Sequence, residues 1–137
     1  MPERQNMNRT AVNPWPWSLN FGYNQAEILD GASRQLVCAG QTAVDEEGNP
    51  QHPGDMRAQI TLALDNLEAV LAGANMTLGN VTRLSVYVTD MDAAMENFDV
   101  LGARLGPAGV TPPMTLLGVT RLALPGLMFE IEATAAD

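Results

Sequence analysis

The chain is poor in the residues that most often carry chemistry alone. It has one cysteine, Cys38, and one histidine, His52. A lone thiol forms no internal disulfide, so a reducing compartment is expected, and the protein is expected to be cytoplasmic. One His and one Cys fall short of a transition-metal ligand set, and no metal site is expected. Basic residues are also few: 7 Lys and Arg against 16 Asp and Glu, a formal net charge of -9. They are scattered, whereas phosphate backbones and anionic lipid need them clustered, so no nucleic acid and no membrane are expected as partners. No apolar run is long enough to span a bilayer. The polar N-terminus has no apolar segment of the signal-peptide kind.

What is present fits one domain. At 137 residues and 46% hydrophobic, the chain can bury a core without disulfides or metals. Residues 1–8 read as a flexible N-terminus and 9–137 as the domain. Arg9 to Val12 can start a strand, and the Asn13-Pro14-Trp15-Pro16-Trp17 run then breaks regular structure. Trp15, Trp17, Phe21 and Tyr23 cluster there, either as a plug over the core or as the wall of a ligand pocket. Gln25–Leu29 and Arg34–Val44 read as a hairpin turning at Asp30-Gly31. Gly40 marks a bulge or a close approach to the backbone.

Asp55 is set to cap a helix in which Met56, Ile60, Leu64, Leu67 and Leu71 form one apolar stripe ending near Gly73. Leu84, Val86 and Val88 alternate with polar residues in a strand. Met91, Met95, Phe98, Leu101 and Leu105 predict a second helix, stopped by Gly106-Pro107. Two strands follow, around Leu-Pro-Gly. In the last, Leu127, Phe129, Ile131 and Ala133 alternate with Met128, Glu130, Glu132 and Thr134. Glu130 and Glu132 therefore share a face, which is either solvated or the floor of a proton-handling cleft. The order is β-β-β-α-β-α-β-β. Its two helices cover one side of a sheet, leaving Arg83, Ser85, Tyr87, Glu130 and Glu132 on the other with Met114, Leu116 and Met128. So mixed a face points to packing against other copies of the chain.

In order and spacing, GYNQA (22–26), LVCAGQ (36–41), LDNLEAVLAGANM (64–76), VYVTDM (86–91), Asn97 and FEIEATA (129–135) resemble the Rid family, the YjgF/RidA/L-PSP group. The resemblance spans roughly residues 9–135. It implies an α+β, chorismate-mutase-like fold: a mostly antiparallel mixed β-sheet with two helices packed on one face. It also implies a homotrimer with a small-molecule ligand in each inter-subunit cleft. Known members hydrolyse reactive enamines and imines such as 2-aminoacrylate, without cofactor or metal. Onto that pattern fall Tyr23 as the cleft tyrosine, Gly40 as the glycine of the family's Ser-Gly-Gln motif, Asn97 as the helix asparagine and Glu130 as the residue that orients water. The family's carboxylate-gripping arginine precedes the penultimate strand. Here that segment is Pro112-Pro113-Met114-Thr115, with Met114 at the arginine position and Leu116 two residues on. A charge-assisted bond is worth roughly 1.5–3 kcal/mol, so a carboxylate substrate would lose about ten- to a hundredfold in binding. The resemblance thus implies an imine or enamine hydrolase with an altered, more apolar substrate. Glu130 and Tyr23 would be catalytic, and Gly40, Asn97, Met114, Thr115, Leu116 and Trp17 would contact substrate. The alternative is a non-catalytic trimeric module that binds a metabolite or a partner. An endoribonuclease, as some relatives are labelled, is opposed by the acidic charge.

Overall fold

The structure, a computed structural model, describes residues 7–137. The expected flexible 1–8 stretch lies outside the described residues as far as residue 6. Strand β1 (Asn8–Val12) then pairs antiparallel with β2 (Ala26–Asp30) as a separate two-stranded ribbon. A 3-10 helix, Pro16–Phe21, lies between them, closed by Gly22 in the left-handed conformation. The main sheet comprises β3 (Gln35–Val37), β4 (Gln41–Thr42), β5 (Val81–Val88), β6 (Met114–Gly118) and β7 (Phe129–Ala136). Its path runs β3-β7-β5-β6, and β4 also pairs with β7. Only the β5–β6 pairing is parallel.

The expected hairpin across Asp30-Gly31 does not form. The chain turns there, with Gly31 at φ 77°, but β2 stays with β1 and β3 joins β7. Arg9 accounts for the first choice. Its guanidinium lies 2.6 Å from Glu27 and also donates to the carbonyls of Gly79 and Val81, pinning the ribbon against the start of β5. Backbone bonds between Arg34 and Asp137 draw the following segment to the far end of β7.

Helix α1 (Met56–Gly73) starts where expected, with Asp55 Oδ1 accepting the Ala58 N–H at 3.0 Å. The second expected helix is two helices, α2 (Met91–Glu96) and α3 (Asp99–Ala108), broken at Asn97-Phe98. Gly106-Pro107 does not stop it. Pro107 lies near the end, where a missing N–H frees only one carbonyl, and the helix closes at Gly109, φ 73°. The helices cover one face of the sheet. Between them and it lie Ile60, Leu64, Leu67, Leu84, Val86, Val88, Phe129 and Ile131, all fully buried.

The face of β6 also differs from expectation. Met114 pairs with Leu84 and Leu116 with Val86, so both point to the helix side, where they pack against the core with Met128. The parallel pairing with β5 decides this, since partnered residues share a face. Thr115 and Leu117 take the opposite side, beside Ser85 and Tyr87.

Candidate functional site

The residues singled out from the sequence fall into two groups, on opposite faces of the sheet. On the face away from the helices, β7 presents Glu130 and Glu132. Their neighbours across the ladders are Tyr87 and Thr42 for Glu130, and Ser85 for Glu132. Tyr87 Oη donates to Glu132 Oε1 at 2.5 Å, and this bond pushes the phenol's pKa up. Glu132 is thereby engaged. Glu130 is not: among the described residues its side chain has no hydrogen bond and no ion pair. Arg83, a candidate partner, instead donates to Thr115 at 3.4 Å.

Glu130 passes directly over the backbone at Gly40. A Cβ there would lie 2.7 Å from Glu130 Cδ and 2.9 Å from its Cγ and Oε1. Gly40 occupies the irregular Cys38–Gly40 step between β3 and β4, where Cys38 still donates to Ala133. The step and the missing side chain together make room for the carboxyl group. Loss of water pushes the Glu130 pKa up, and the charge of Glu132 adds to the rise. Around it the face remains open, with Val37 73% and Leu117 49% exposed.

Two amides of α1, one buried and one half-buried, hold these strands, and nothing in the sequence marked them. Gln59, fully buried, accepts the Met128 N–H at 2.8 Å and donates to the carbonyls of Gly126 and His52. Asn66 donates to the carbonyls of Thr42 and Val44. One helix thus fixes the start of β7, two residues before Glu130, and the strand that pairs with it. The available signal was a polar Gln59 inside the Met56–Ile60–Ala63 stripe.

The second group lies on the helix side, at the β6 edge. A hollow of about 410 Å³ is lined by Phe21, Tyr23, Met95, Phe98, Met114 and Leu116. Tyr23 is half-buried, and Trp17 stacks against it edge-on, with ring centroids 6.2 Å apart. The 3-10 helix carries this aromatic wall, and its Trp15 and Phe21 remain 62% and 67% exposed. Asn97 lies in the α2–α3 break, where its side-chain N–H donates to Ala93 O at 2.8 Å. Thr115 stands apart from Met114 and Leu116, on the carboxylate face. His52 is an exposed loop residue whose carbonyl, not its ring, is used by Gln59. Cys38 is buried, and loss of water pushes its thiol pKa up. Among the described residues, no three His, Cys, Asp or Glu side chains gather as a metal site would require, and no helix is long and apolar enough to cross a membrane.

The fold and the order of its residues have counterparts among known proteins. The family described as "Endoribonuclease L-PSP" matches residues 19–137. The chain belongs to the Rid (YjgF/L-PSP) family. A RutC family protein of Escherichia coli, YjgH, is 34% identical over 93% of this chain and 94% of its own length. The Rid-family protein YyfB of Yersinia pestis is 36% identical, with a TM-score of 0.81 over 95% of this chain and 99% of its own. Escherichia coli TdcF, solved with bound serine, is 26% identical with a TM-score of 0.67, over 84% of this chain and 87% of its own. The chorismate-mutase-like α+β architecture is therefore that of the Rid family, here with its second helix in two pieces.

Proposed function

We propose that this Rid-family chain hydrolyses a neutral, apolar imine or enamine in clefts formed between copies of itself. The observation that carries the reading is Glu130. It is a partly desolvated carboxylate with no ionic partner among the described residues, seated against the backbone at Gly40, where a side chain would collide with it. A carboxyl group with a raised pKa on an open, partly apolar face suits proton transfer near neutral pH.

Glu130 takes a proton from water as the water oxygen bonds to the imine carbon, and passes that proton to the imine nitrogen. The resulting carbinolamine collapses: the C–N bond breaks, the hydroxyl proton moves by the same carboxylate to the departing nitrogen, and ketone and ammonia are released. Tyr23 donates a hydrogen bond to the polarised group, and the backbone at Gly40 keeps Glu130 in place.

Glu130 and Tyr23 lie on opposite sides of one chain's sheet, so a cleft holding both needs a second copy. A homotrimer, each cleft taking Glu130 from one chain and Tyr23 with Met114 from its neighbour, meets that need. Serine in TdcF supports small-molecule binding in such a fold. Met114 and Leu116, where the resemblance expects a carboxylate-gripping cation and its neighbour, favour an uncharged substrate. They equally favour a second reading, a binding module without turnover.

The imine of acetophenone, incubated with the protein and followed by ammonia release, separates these. Hydrolysis well above buffer, abolished by Glu130→Gln, supports the enzyme. Binding without turnover supports the module. 2-Aminoacrylate generated in situ is expected to react little faster than in buffer.

A further inference from the structure

We propose that the hollow beside Tyr23 continues behind Met114 into a second recess, and that the two together select a small uncharged carbonyl or imine compound carrying an apolar ring and a flexible tail. This deepens the reading above and depends on it only for the identity of the reacting group. The recess, about 160 Å³, is floored by Gly102, Leu105 and Gly106 of α3. Phe21, Phe98 and Met114 line both spaces, so these three side chains form the wall common to them. Met114 is unbranched, and rotation about its side-chain bonds can open one space to the other.

Three features define the occupant. Among the described residues no charged side chain lines either space, so an anion entering would leave water without meeting a cation there. Among the described residues Tyr23 supplies the only polar side chain of the larger hollow, and its hydroxyl has no hydrogen-bond partner there. It can donate to one carbonyl oxygen or imine nitrogen. Finally, Gly102 and Gly106 lie one turn apart in a helix that glycine disfavours, and a Cβ added at either would meet no atom within 4 Å. The recess has open space at these positions because they carry no side chain, and its volume of about 160 Å³ has room for a chain of a few carbons.

Equilibrium titrations of the full chain with acetophenone, 4-butylacetophenone and phenylpyruvate, read by backbone amide shifts, test this. The butyl compound is expected to bind about tenfold more tightly than acetophenone, or better, from the methylene groups it buries. Phenylpyruvate is expected to bind more weakly than either. Gly102→Leu should erase the tail's advantage while leaving acetophenone affinity within about twofold, because leucine is a good helix former that fills only the recess. Gly106→Leu is the second filling variant, and Tyr23→Phe should weaken both ketones about threefold or more through loss of the hydroxyl bond. Equal affinity for the two ketones, a tail advantage that survives both leucine variants, or tightest binding of phenylpyruvate would overturn the proposal. Binding needs no turnover, so the two readings fail separately. Tail selection without imine hydrolysis removes the catalytic reading alone, and imine hydrolysis without tail selection removes this one.

Discussion

The two faces of the sheet near β6 and β7 meet opposite demands. On the helix side, Tyr23, Phe98, Met114 and Leu116 enclose a space to which the described residues bring one polar group and no charge. On the other side, Glu130 and Glu132 stand two residues apart on one strand, and among the described residues only Glu132 has a hydrogen-bond partner. Shape and burial define the first region; a carboxyl group that resists ionisation defines the second. The difference teaches that, on the proposed reading, recognition and proton transfer fall on opposite faces of the sheet, and joining them would take another chain.

Changes confined to one face should therefore act on one function. Glu130→Gln is expected to have the largest effect, lowering turnover of the acetophenone imine by about 10²-fold or more, while ketone affinity in the hollow stays unchanged. Steady-state rates and amide-shift titrations on the same sample measure both. Gln59→Leu comes next. It leaves the Met128 N–H and the His52 and Gly126 carbonyls without their partner and should cost about 3 kcal/mol in urea denaturation.

Met114→Arg acts on the other face. It should tighten phenylpyruvate binding about ten- to a hundredfold by providing a counter-charge, and leave the pH dependence of any turnover where it was. Gly40→Ala is expected to lower turnover about tenfold with less than about 1 kcal/mol lost in stability. The atoms that clash belong to the movable end of Glu130, which can swing aside, although not in place. An unchanged rate would break the link between the glycine and the carboxylate.

The smallest effect is a pH dependence of stability. The fold holds the Glu130 carboxyl above the ordinary glutamate range, chiefly through loss of water. Ionising it therefore opposes folding. The penalty is absent at low pH, where the group is protonated in both states. It grows as pH rises through the unfolded value and is complete above the folded one. Glu130→Gln should accordingly raise Tm at pH 7 to 8 and have no such advantage below about pH 4.

Much of this architecture was legible in the sequence because the signals are local. The alternation in β7, the apolar stripe of α1 and the Asp55 cap each follow from a period or a single residue type. The misread elements depend on partners distant in the chain. Asp30-Gly31 carries a hairpin signal, yet Arg9, reaching Glu27, Gly79 and Val81, assigns β2 to β1. The break at Asn97-Phe98 is masked because the apolar spacing runs on through it, although Met91 and Met95, which carry that spacing in α2, are exposed and α2 buries Ala94 instead. In β6 the segment Met114-Thr115-Leu116-Leu117 is apolar on both alternations, and only its pairing with β5 reveals which side chains face the helices. The same pairing divides the candidate residues into two groups, which a reading along one chain could not show.

Mixed assemblies test the division most directly. Glu130→Gln chains and Met114→Trp chains, the latter with the hollow blocked, are each expected to be inactive alone on the acetophenone imine. Co-expressed with different tags and purified as mixed oligomers, they should recover about one third of wild-type activity, since a trimer holding both kinds of chain has one cleft of its three with two intact halves. Mixed oligomers as inactive as their parents, or a fully active wild-type protein sedimenting as a monomer, would contradict a site divided between copies.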